Sequence, residues 1–397
     1  MRVSVLYTPL ITAGGAERQV LEEVAHLKRR GHRVRLLTFH LAPDVLSVAG
    51  VDASDITVLT SRFGAAGQVI ALRRALSRMR PDVLISHTSP ELTWLATRGF
   101  GRPYIQYHNS PPFYIGTDEN PYMASRRYRR AFPRVRTDVA GYTELALTTV
   151  GWRAGIAAEA RTFLKHHALR DARAVIAPSQ RSVRELRLLH GIEATVVRGC
   201  LPSSLVADPP TTTSRDLDDE SSPLVLSVCR LERVKRIDLL LHAFAKVREQ
   251  IVNATLVIAG NGADLGRLRA IADSLGIEDN VEFMGYVPED ELWALYARAD
   301  VLAAPAMADF NIAPYEALAM GRKVVWSDEM ETDPEIEASG QVFIAAPDAE
   351  SFARAILDAL RAPAGRRANL RSMTWEARAD RLETIAADAA HNGRIAA

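Results

Sequence analysis

The N-terminal half of the chain alternates short apolar runs with stretches whose apolar residues recur every three or four positions. The first pattern predicts buried strands, and the second predicts helices such as Gln68–Arg80. The predicted strands are Val3–Tyr7, His32–Phe39, Asp82–Ser86 and Tyr104–His108, and a further strand with its turn is predicted at Ala172–Ser179. Strands that alternate with helices form a doubly wound parallel sheet, and ligands bind at the carboxyl ends of its strands. The predicted fold class is therefore α/β.

The same pattern returns in the C-terminal half. Apolar runs at Leu224–Cys229, Ala254–Gly260 and Val281–Gly285 predict strands, and two more are predicted in residues 300–327. Residues 200–222 are rich in Pro, Thr, Ser and Asp, which indicates a linker. A chain of 397 residues is too long for one ordinary core. The predicted division is a domain at 1–199, the linker, a domain at 223–372 and a terminal helix at 373–397.

The composition is that of a soluble globular protein, with 48% apolar and 24% charged residues. No run reaches the roughly 18 apolar residues that a membrane-spanning helix requires. The chain enters a strand at once instead of a signal peptide, so we expect a cytoplasmic protein. Its two cysteines, Cys200 and Cys229, are too few for a disulfide framework or a cysteine metal site. Both are expected to be small buried apolar residues.

The net charge of +1 conceals opposite charges in the two halves. Residues 1–200 contain 29 Lys and Arg against 16 Asp and Glu, whereas residues 201–397 contain 20 against 32. One interpretation is that the basic half faces an anionic surface or an acidic acceptor. The other is that the two halves attract each other across a cleft.

An arginine-rich segment runs from Ser125 to Arg136 and includes Tyr128, Phe132 and Val135. Cations beside apolar side chains suit a lipid headgroup surface or acceptor phosphates, although such a segment can also be a solvated helix without a partner. No groove-reading motif accompanies the charge, so nucleic acid is not an expected partner. The candidate membrane or acceptor residues are Arg126, Arg127, Arg129, Arg130, Arg134 and Arg136.

Glycines and cations stand at several predicted strand ends. The pair Gly14-Gly15 precedes a predicted helix, and Gly260 and Gly262 flank another strand-to-helix turn. Glycine lets a backbone approach a phosphate closely, but many such turns contain glycine for steric reasons alone. Arg230 and Lys235 leave one strand end together. Two cations there can neutralise a diphosphate, or they can be solvent-exposed ion-pair partners.

The stretch 300–327 combines a loop that carries Asp309 and Asn311 with a short helix whose first turns carry Glu316. A helix N-terminus offers N–H donors to an anion, and a carboxylate beside it accepts hydrogen bonds from hydroxyl groups. This combination suits a phosphorylated, sugar-like ligand. No Asp-x-Asp motif follows a predicted strand, so no metal ion is expected.

Three motifs occur together in this chain: Gly14-Gly15-Ala16-Glu17-Arg18, Arg230-Leu231 with Lys235, and the run Asp309-Phe310, Ile312-Ala313-Pro314, Glu316-Ala317. In these motifs the chain resembles the family 4 retaining glycosyltransferases of the GT-B fold. The resemblance implies two Rossmann-like doubly wound parallel-sheet domains that face each other across a cleft, with a nucleotide-sugar bound in the cleft. It also implies that the terminal helix crosses back to the first domain.

The resemblance implies a role for each matching residue. Arg230 and Lys235 would stabilise the leaving diphosphate, His108 would lie near the donor sugar, and Glu316 would hold the ribose hydroxyls. Backbone groups near Val287 would read the base. The donor-binding set implied is Gly14, Gly15, Gly260, Gly262, Val287, Asp309, Phe310, Asn311, Ile312 and Glu316. The implied reaction needs no metal and no cofactor. It moves a sugar, with mannose as the first expectation, from a GDP- or UDP-linked donor to a lipid-linked or polysaccharide acceptor, and the protein would be peripheral on the inner face of the membrane.

Ala308 departs from the family pattern, because the first Glu of the paired-glutamate motif is usual there. Loss of that carboxylate removes a hydrogen bond of about 1.5–3 kcal/mol. Three explanations remain open: an inactivated variant, a natural member in which Asp309 or Asn311 substitutes, or a degenerate transferase that only binds. The alternative function is accordingly a non-catalytic nucleotide-sugar-binding subunit of a membrane glycan assembly complex.

Overall fold

The computed structural model describes residues 1–11, 14–42, 45, 51–62, 64–99, 101, 103–108, 125–128, 130, 152–209, 222–306, 310–331 and 333–391. The chain forms two compact units. The first contains Met1–Cys200 together with Met373–Ala397, and the second contains Leu201–Ser372. Each unit is built around one parallel sheet with helices, which confirms the predicted α/β class.

The sheet of the first unit contains the strands β1 (Arg2–Leu6), β2 (Arg33–Thr38), β3 (Ile56–Val58), β4 (Val83–Ser86), β5 (Tyr104–Tyr107), β6 (Ala174–Ala177) and β7 (Thr195–Val196). Their order is β3-β2-β1-β4-β5-β6-β7, and all pairs are parallel. The central strands β4 and β5 are buried at every position, as expected for strands covered by helices on both faces. The strand order turns at β1, which is the kind of switch point where α/β sheets bind ligands.

Helices of the first unit connect these strands. They are α1 (Gly15–Arg29), α2 (Gly64–Met79), α3 (Pro90–Thr97), α4 (Trp152–Asp171) and α5 (Gln180–His190). Two of them begin at a serine whose side chain accepts a backbone N–H, Ser89 for α3 and Ser179 for α5. Such caps satisfy N–H groups that the helix itself leaves unpaired.

The sheet of the second unit contains β8 (Leu224–Val228), β9 (Thr255–Ala259), β10 (Val281–Gly285), β11 (Val301–Ala304), β12 (Lys323–Ser327) and β13 (Val342–Ala345). The order is β10-β9-β8-β11-β12-β13, again parallel throughout. Because consecutive strands diverge to either side of β8 and β11, the carboxyl ends of these two central strands form the switch point of this sheet.

Helices of the second unit are α6 (Ser203–Ala207), α7 (Ile237–Gln250), α8 (Leu265–Ser274), α9 (Glu289–Arg298), α10 (Ile312–Ala319), α11 (Pro334–Glu337) and α12 (Ala349–Arg361). The core packs Leu240 and Phe244 of α7 and Phe352 of α12 against strand residues such as Leu256. Helix α6 lies inside the predicted linker, and its Leu205 is buried.

The remaining helix, α13 (Trp375–His391), belongs to the first unit. Its Leu382, Ala386 and Ala389 join the same apolar cluster as Val20 and Val24 of α1. The helix therefore completes the core of the first unit, although the whole second unit separates it in sequence from the other elements of that core.

A buried ion pair connects α13 to α1. The guanidinium of Arg378 donates to Glu23 of α1 at 3.1 Å and to the carbonyl of Val197 at 3.0 Å, and it stacks over the ring of Tyr107. His87 lies 3.2 Å from the same carboxylate. Burial by itself raises the pKa of Glu23, but His87 and Arg378 outweigh it and hold the pKa below its ordinary value.

The main strands and helices fall where the apolar pattern predicts them, within a few residues at each end. Three strands were not predicted: Ile56–Val58, Thr195–Val196 and Val342–Ala345. They are edge strands of two to four residues, so each gives a pattern too short to identify, even where the residues are apolar, as in Val342–Ala345. Cys229 was expected to be buried, but it is only partly so.

We predict that Arg378→Met destabilises the protein by about 3–5 kcal/mol, because it leaves the Glu23 carboxylate buried without its cation. Arg381→Met, an exposed change on the same helix, should stay within about 0.5 kcal/mol of the wild type. Urea unfolding followed by circular dichroism measures both.

The pH dependence gives a second readout of this prediction. The pKa of Glu23 is lowered in the folded protein, so its contribution to stability is present above the unfolded value of 4.5 and is lost as the pH falls through the folded pKa. The difference between wild type and Arg378→Met should therefore shrink in acid. Equal losses for the Arg378 and Arg381 variants would contradict a special role for the buried pair.

Candidate functional site

The candidate site lies at the carboxyl ends of the strands in the second unit. A small pocket there is lined by residues from β8, from β11 and from the loops that follow them, among them Ser227, Cys229, Lys235, Pro305, Ala306 and Asn311. It lies at the switch point of the sheet, where the sequence pattern predicts a ligand. The structure therefore brings Lys235 and Asn311, which are distant in sequence, to one place.

Lys235 is the cation of this pocket. It ends a short turn, Arg233–Lys235, that follows β8, and its side chain is half-buried. Burial lowers the pKa of Lys235 from its ordinary value, and the neighbouring Arg230 adds to this effect. A partly desolvated ammonium interacts more strongly with an anion than a fully hydrated one does, because the local dielectric constant is lower. The location suits the binding of a phosphate group.

Arg230 is placed differently from Lys235. Its guanidinium is 64% exposed and pairs with Glu232 at 2.8 Å. In the structure, Arg230 is thus a solvent-exposed ion-pair partner. Surface pairs of this type contribute only about 0–1 kcal/mol, so a doubly charged ligand can compete with Glu232 for the guanidinium.

Arg236 follows directly and holds an unusual backbone conformation. Its φ of 52° and ψ of 38° lie in the left-handed region, which favours glycine. The side chain forms an ion pair with Glu329, whose carboxylate is fully buried and lies 3.4 Å from the hydroxyl of Ser327. This contact ties the loop after β8 to the loop after β12. Nothing in the local sequence pattern pointed to it, because the two residues are far apart along the chain.

The glycines after β9 have a steric reason that the structure shows directly. Gly260 has a φ of +138°, and a Cβ there would lie 1.9 Å from the carbonyl oxygen of Cys229. A Cβ at Gly262 would lie 2.1 Å from the carbonyl oxygen of Leu231. Leu231 in turn donates its N–H to the carbonyl of Asn261 at 2.9 Å. The two glycines therefore let the loop after β9 pack backbone to backbone against the loop that carries Arg230 and Lys235.

Glu316 lies on α10, one turn into the helix, and is only 5% exposed. Its Oε2 accepts a hydrogen bond of 2.8 Å from the hydroxyl of Tyr296, which is fully buried. The helix starts at Ile312 with Asn311 at its N-cap. Phe310 stacks on Tyr315 with ring centres 5.2 Å apart. Ala308 and Asp309 lie outside the described residues.

Other predicted positions of this unit are less enclosed. Val287 follows β10 and is half-buried, beside Tyr286, which is 73% exposed. Both belong to the loop at the carboxyl end of an edge strand, next to the turn of Gly260 and Asn261.

In the first unit, Gly14 caps α1 and Gly15 begins it. The backbone of Gly14 is extended, with φ of −77° and ψ of 174°, a conformation that any residue adopts. The described backbone therefore gives no conformational reason for a glycine at this position. A glycine has no side chain with which to cap the helix, and the N-terminus of a helix carries positive potential that favours an anion.

His108 lies at the carboxyl end of β5 and is 8% exposed. Its backbone N–H donates to the carbonyl of Ile176, and its Nε2 has no hydrogen-bond partner among the described residues. Burial, together with the charge of Lys165, lowers the pKa of His108 well below its ordinary value, so the ring is neutral at physiological pH. Lys165, on α4, is itself buried, and burial lowers its pKa to about 8. The sequence pattern missed Lys165, because it reads as one position of an amphipathic helix.

The arginine-rich segment is described only in part. Arg126, Arg127 and Arg130 are exposed, whereas Arg129, Arg134 and Arg136 lie outside the described residues. Arg127 donates to the carbonyl of Leu189 at 2.8 Å, at the end of α5. This arginine thus has a local structural contact in addition to any external partner.

Two further properties concern the described part of the chain. Within it, no group of three or more His, Cys, Asp or Glu side chains is arranged so that it can hold a metal ion. None of its helices combines the length and the apolar character that crossing a bilayer requires.

We predict that Gly260→Ala destabilises the second unit by more than about 3 kcal/mol, because the new Cβ overlaps the carbonyl of Cys229 and the backbone is strained. Gly266→Ala is the control: it lies in α8 with open space around its Cβ, and it should change stability by at most about 1 kcal/mol, in the stabilising direction. Urea unfolding of both variants checks this. A stable Gly260→Ala protein would show that the two loops can separate without loss.

Comparison with known families accounts for most of the chain. The family described as Glycosyltransferase Family 4 matches residues 13–199, and the family described as Glycosyl transferases group 1 matches residues 212–376. The two matches meet near the boundary between the two units.

Individual relatives agree with these matches. The chain is 30% identical over 181 residues to the GDP-mannose-dependent alpha-(1-6)-phosphatidylinositol monomannoside mannosyltransferase of Mycolicibacterium smegmatis, covering 41% of this chain and 47% of that protein. It is 30% identical over 207 residues to the lipopolysaccharide core biosynthesis mannosyltransferase LpcC of Rhizobium leguminosarum bv. viciae, covering 49% of this chain and 56% of that protein. The matched stretches thus span about half the length of these relatives.

A solved structure extends the likeness to the whole fold. The Anabaena protein HepE in complex with UDP superposes with a TM-score of 0.65 at 16% identity, covering 98% of each chain. At this identity the likeness concerns the fold alone. Taken with the two family matches, it shows that the chain has the GT-B fold and that its two units are similar in sequence to glycosyltransferases.

Proposed function

We propose that this protein is a retaining glycosyltransferase that moves a sugar from a nucleotide-diphosphate donor to a lipid-linked or polysaccharide acceptor without a metal ion. The observation that carries the proposal is the half-buried Lys235 in the pocket at the carboxyl ends of β8 and β11. A fixed cation at that point of a parallel sheet suits the diphosphate of a nucleotide. The UDP bound by HepE, which shares the fold, supports a nucleotide as the ligand.

In the proposed reaction the two cations stabilise negative charge. Lys235 and Arg230 stabilise the negative charge that grows on the diphosphate as its bond to the sugar breaks, which is the work a metal ion performs in other transferases. The acceptor hydroxyl forms its new bond to the same sugar carbon from the same face. Its proton passes to an oxygen of the departing phosphate, so no dedicated enzymic base is required, and positioning supplies much of the rate.

The remaining donor contacts follow the same assignment. Glu316 accepts hydrogen bonds from the ribose hydroxyls, and the backbone near Val287 contacts the base. By the family resemblance, we also assign the diphosphate to the first N–H groups of α1, at Gly14 and Gly15, and the donor sugar to His108.

Mannose is the proposed sugar, and GDP-mannose the first donor to test. The relatives from Mycolicibacterium and Rhizobium are both named as mannosyltransferases, and the first is named as dependent on GDP-mannose. HepE carries UDP, so the base needs an experimental comparison. We further propose that Ala308, which stands where the family has a glutamate, lowers the transfer rate and that this chain is an inactivated variant.

The proposed location is the cytoplasmic face of a membrane. Arg126 and Arg130 are exposed, and the neighbouring helix α4 exposes Ile156 and Phe163, two apolar side chains that lie two turns apart on one face. Cations beside exposed apolar side chains suit a surface of anionic lipid. The excess of basic over acidic side chains in residues 1–200 also favours binding to an anionic surface.

The donor site is tested by calorimetric titration, without metal, of UDP, GDP, GDP-mannose, UDP-glucose and UDP-N-acetylglucosamine. We expect micromolar binding of the nucleotides of one base. Lys235→Met should weaken this binding by roughly tenfold to a hundredfold, since a charge-assisted contact is lost. Lys246→Met, which removes a surface lysine of α7 that pairs with Glu350, is the control and should bind as the wild type does.

The same panel applied to Ala308→Glu separates enzyme from binding subunit. A gain of sugar transfer on restoring the carboxylate supports the transferase and its inactivation. Binding without any gain of transfer supports the non-catalytic subunit instead. If neither form bound a nucleotide, the donor site and the proposed function would both be wrong.

Membrane docking is tested by sedimentation with vesicles of phosphatidylcholine, with and without phosphatidylglycerol. We expect binding only to the anionic vesicles, decreasing with salt. The double change Arg126→Gln/Arg130→Gln should weaken it about tenfold or more, since each arginine near the surface contributes about 1 kcal/mol. The control Arg74→Gln/Arg78→Gln removes the same charge from exposed positions on α2. If both double variants weakened vesicle binding equally, net charge alone would explain the effect, and a specific docking site would be contradicted.

A further inference from the structure

Tyr296 and Glu316 form a buried hydrogen bond beside the candidate site. The phenol hydroxyl donates to Oε2 of the carboxylate at 2.8 Å, with Tyr296 fully buried and Glu316 only 5% exposed. The two residues are 20 positions apart in sequence. Tyr296 lies near the end of α9, which leads into β11, and Glu316 lies on α10, which follows β11. The bond therefore connects the two helices on either side of one central strand.

Both partners of this bond lie in the interior of the second unit. Tyr296 packs against Trp293 with ring centres 5.7 Å apart. Ala317 and Leu318, which follow Glu316 on the helix, are fully buried. A carboxylate in such surroundings is unfavourable without donors, so the phenol hydroxyl has both an energetic and a geometric effect on it.

The hydroxyl restricts where the carboxylate can point. A fully buried tyrosine that packs against Trp293 holds its hydroxyl at a fixed place, and a hydrogen bond to one oxygen then restricts the orientation of the carboxylate. A carboxylate has about four acceptor positions, so the bond from the phenol does not by itself prevent it from accepting from the two hydroxyls of a vicinal diol.

We propose that Tyr296 is a positioning residue for donor binding: it holds Glu316 in the orientation that accepts the ribose hydroxyls of a nucleoside diphosphate. The inference rests on the proposed function, which assigns the ribose to Glu316. Tyr296 itself does not contact the ligand. Its removal should therefore affect the recognition of the ribose hydroxyls and leave the contacts to the diphosphate and base unchanged.

The test compares each nucleoside diphosphate that binds, UDP or GDP, with its 2′,3′-dideoxy counterpart. Calorimetry gives the ratio of the two dissociation constants for wild type, Tyr296→Phe, Glu316→Gln and the double variant. We expect the wild type to prefer the ribose form, and Tyr296→Phe to bind that form about tenfold more weakly, while its affinity for the dideoxy form stays nearly constant. The double variant should be no worse than Glu316→Gln alone, because both changes act on the same contact.

A matched control removes a buried phenol hydroxyl elsewhere. Tyr104 of the first unit is 4% exposed and donates its hydroxyl to the carbonyl of Ala168. Tyr104→Phe should lower the melting temperature as Tyr296→Phe does, yet leave the ribose preference intact. A loss of stability alone therefore does not change the ribose preference.

Each outcome decides the inference. If Tyr296→Phe keeps the wild-type ribose preference while Glu316→Gln loses it, the role of Tyr296 is wrong and the proposed function stands. If Glu316→Gln also keeps the preference, the ribose is held elsewhere and the inference fails with that assignment. If the wild type binds no nucleotide, the donor site itself is wrong.

Discussion

The close approach of backbone to backbone at the strand ends of the second unit is the constraint on which the candidate site depends. Gly260 and Gly262 have no side chain, so the loop after β9 rests directly on the carbonyl groups of Cys229 and Leu231. Those carbonyls belong to the start of the segment that carries Arg230 and Lys235. The position of two flexible cationic side chains is thereby set by rigid main chain beneath them, which is the usual way in which a folded scaffold positions groups that bind an anion.

Buried ion pairs also stabilise the structure, and they have a different role in each unit. In the second unit, Glu329 holds Arg236 in a backbone conformation that costs about 1 kcal/mol or more for a residue other than glycine. The contact fixes the loop immediately after Lys235. In the first unit, Glu23 unites His87 and Arg378 in the core. His87 ends a strand as His108 does, but its carboxylate partner makes it part of the core, whereas Nε2 of His108 has no partner among the described residues.

Sequence reasoning could predict the parts of this structure that leave a local trace. Central strands such as Val83–Ser86 are continuous apolar runs, and the turns that carry Gly260 and Arg230 have a recognisable spacing. Tyr296, Glu329 and Lys165 left no such trace. Each occupies an ordinary position in a helix or loop, and its role arises only from a partner elsewhere in the fold, such as Glu316 for Tyr296. The edge strand Thr195–Val196 was missed because its two residues give a pattern too short to identify.

The path of the chain through the first unit has a consequence for its synthesis. Leu382, Ala386 and Ala389 of α13 belong to the core that α1 begins, and Arg378 supplies the cation for Glu23. A ribosome makes these residues after every residue of the second unit. The N-terminal sheet therefore emerges first but closes its core last, and until then it exposes the apolar face of α1 and an unneutralised Glu23. A premature stop directly after Ser372 would leave the second unit whole and the first one, although its sheet is synthesised earlier, incomplete.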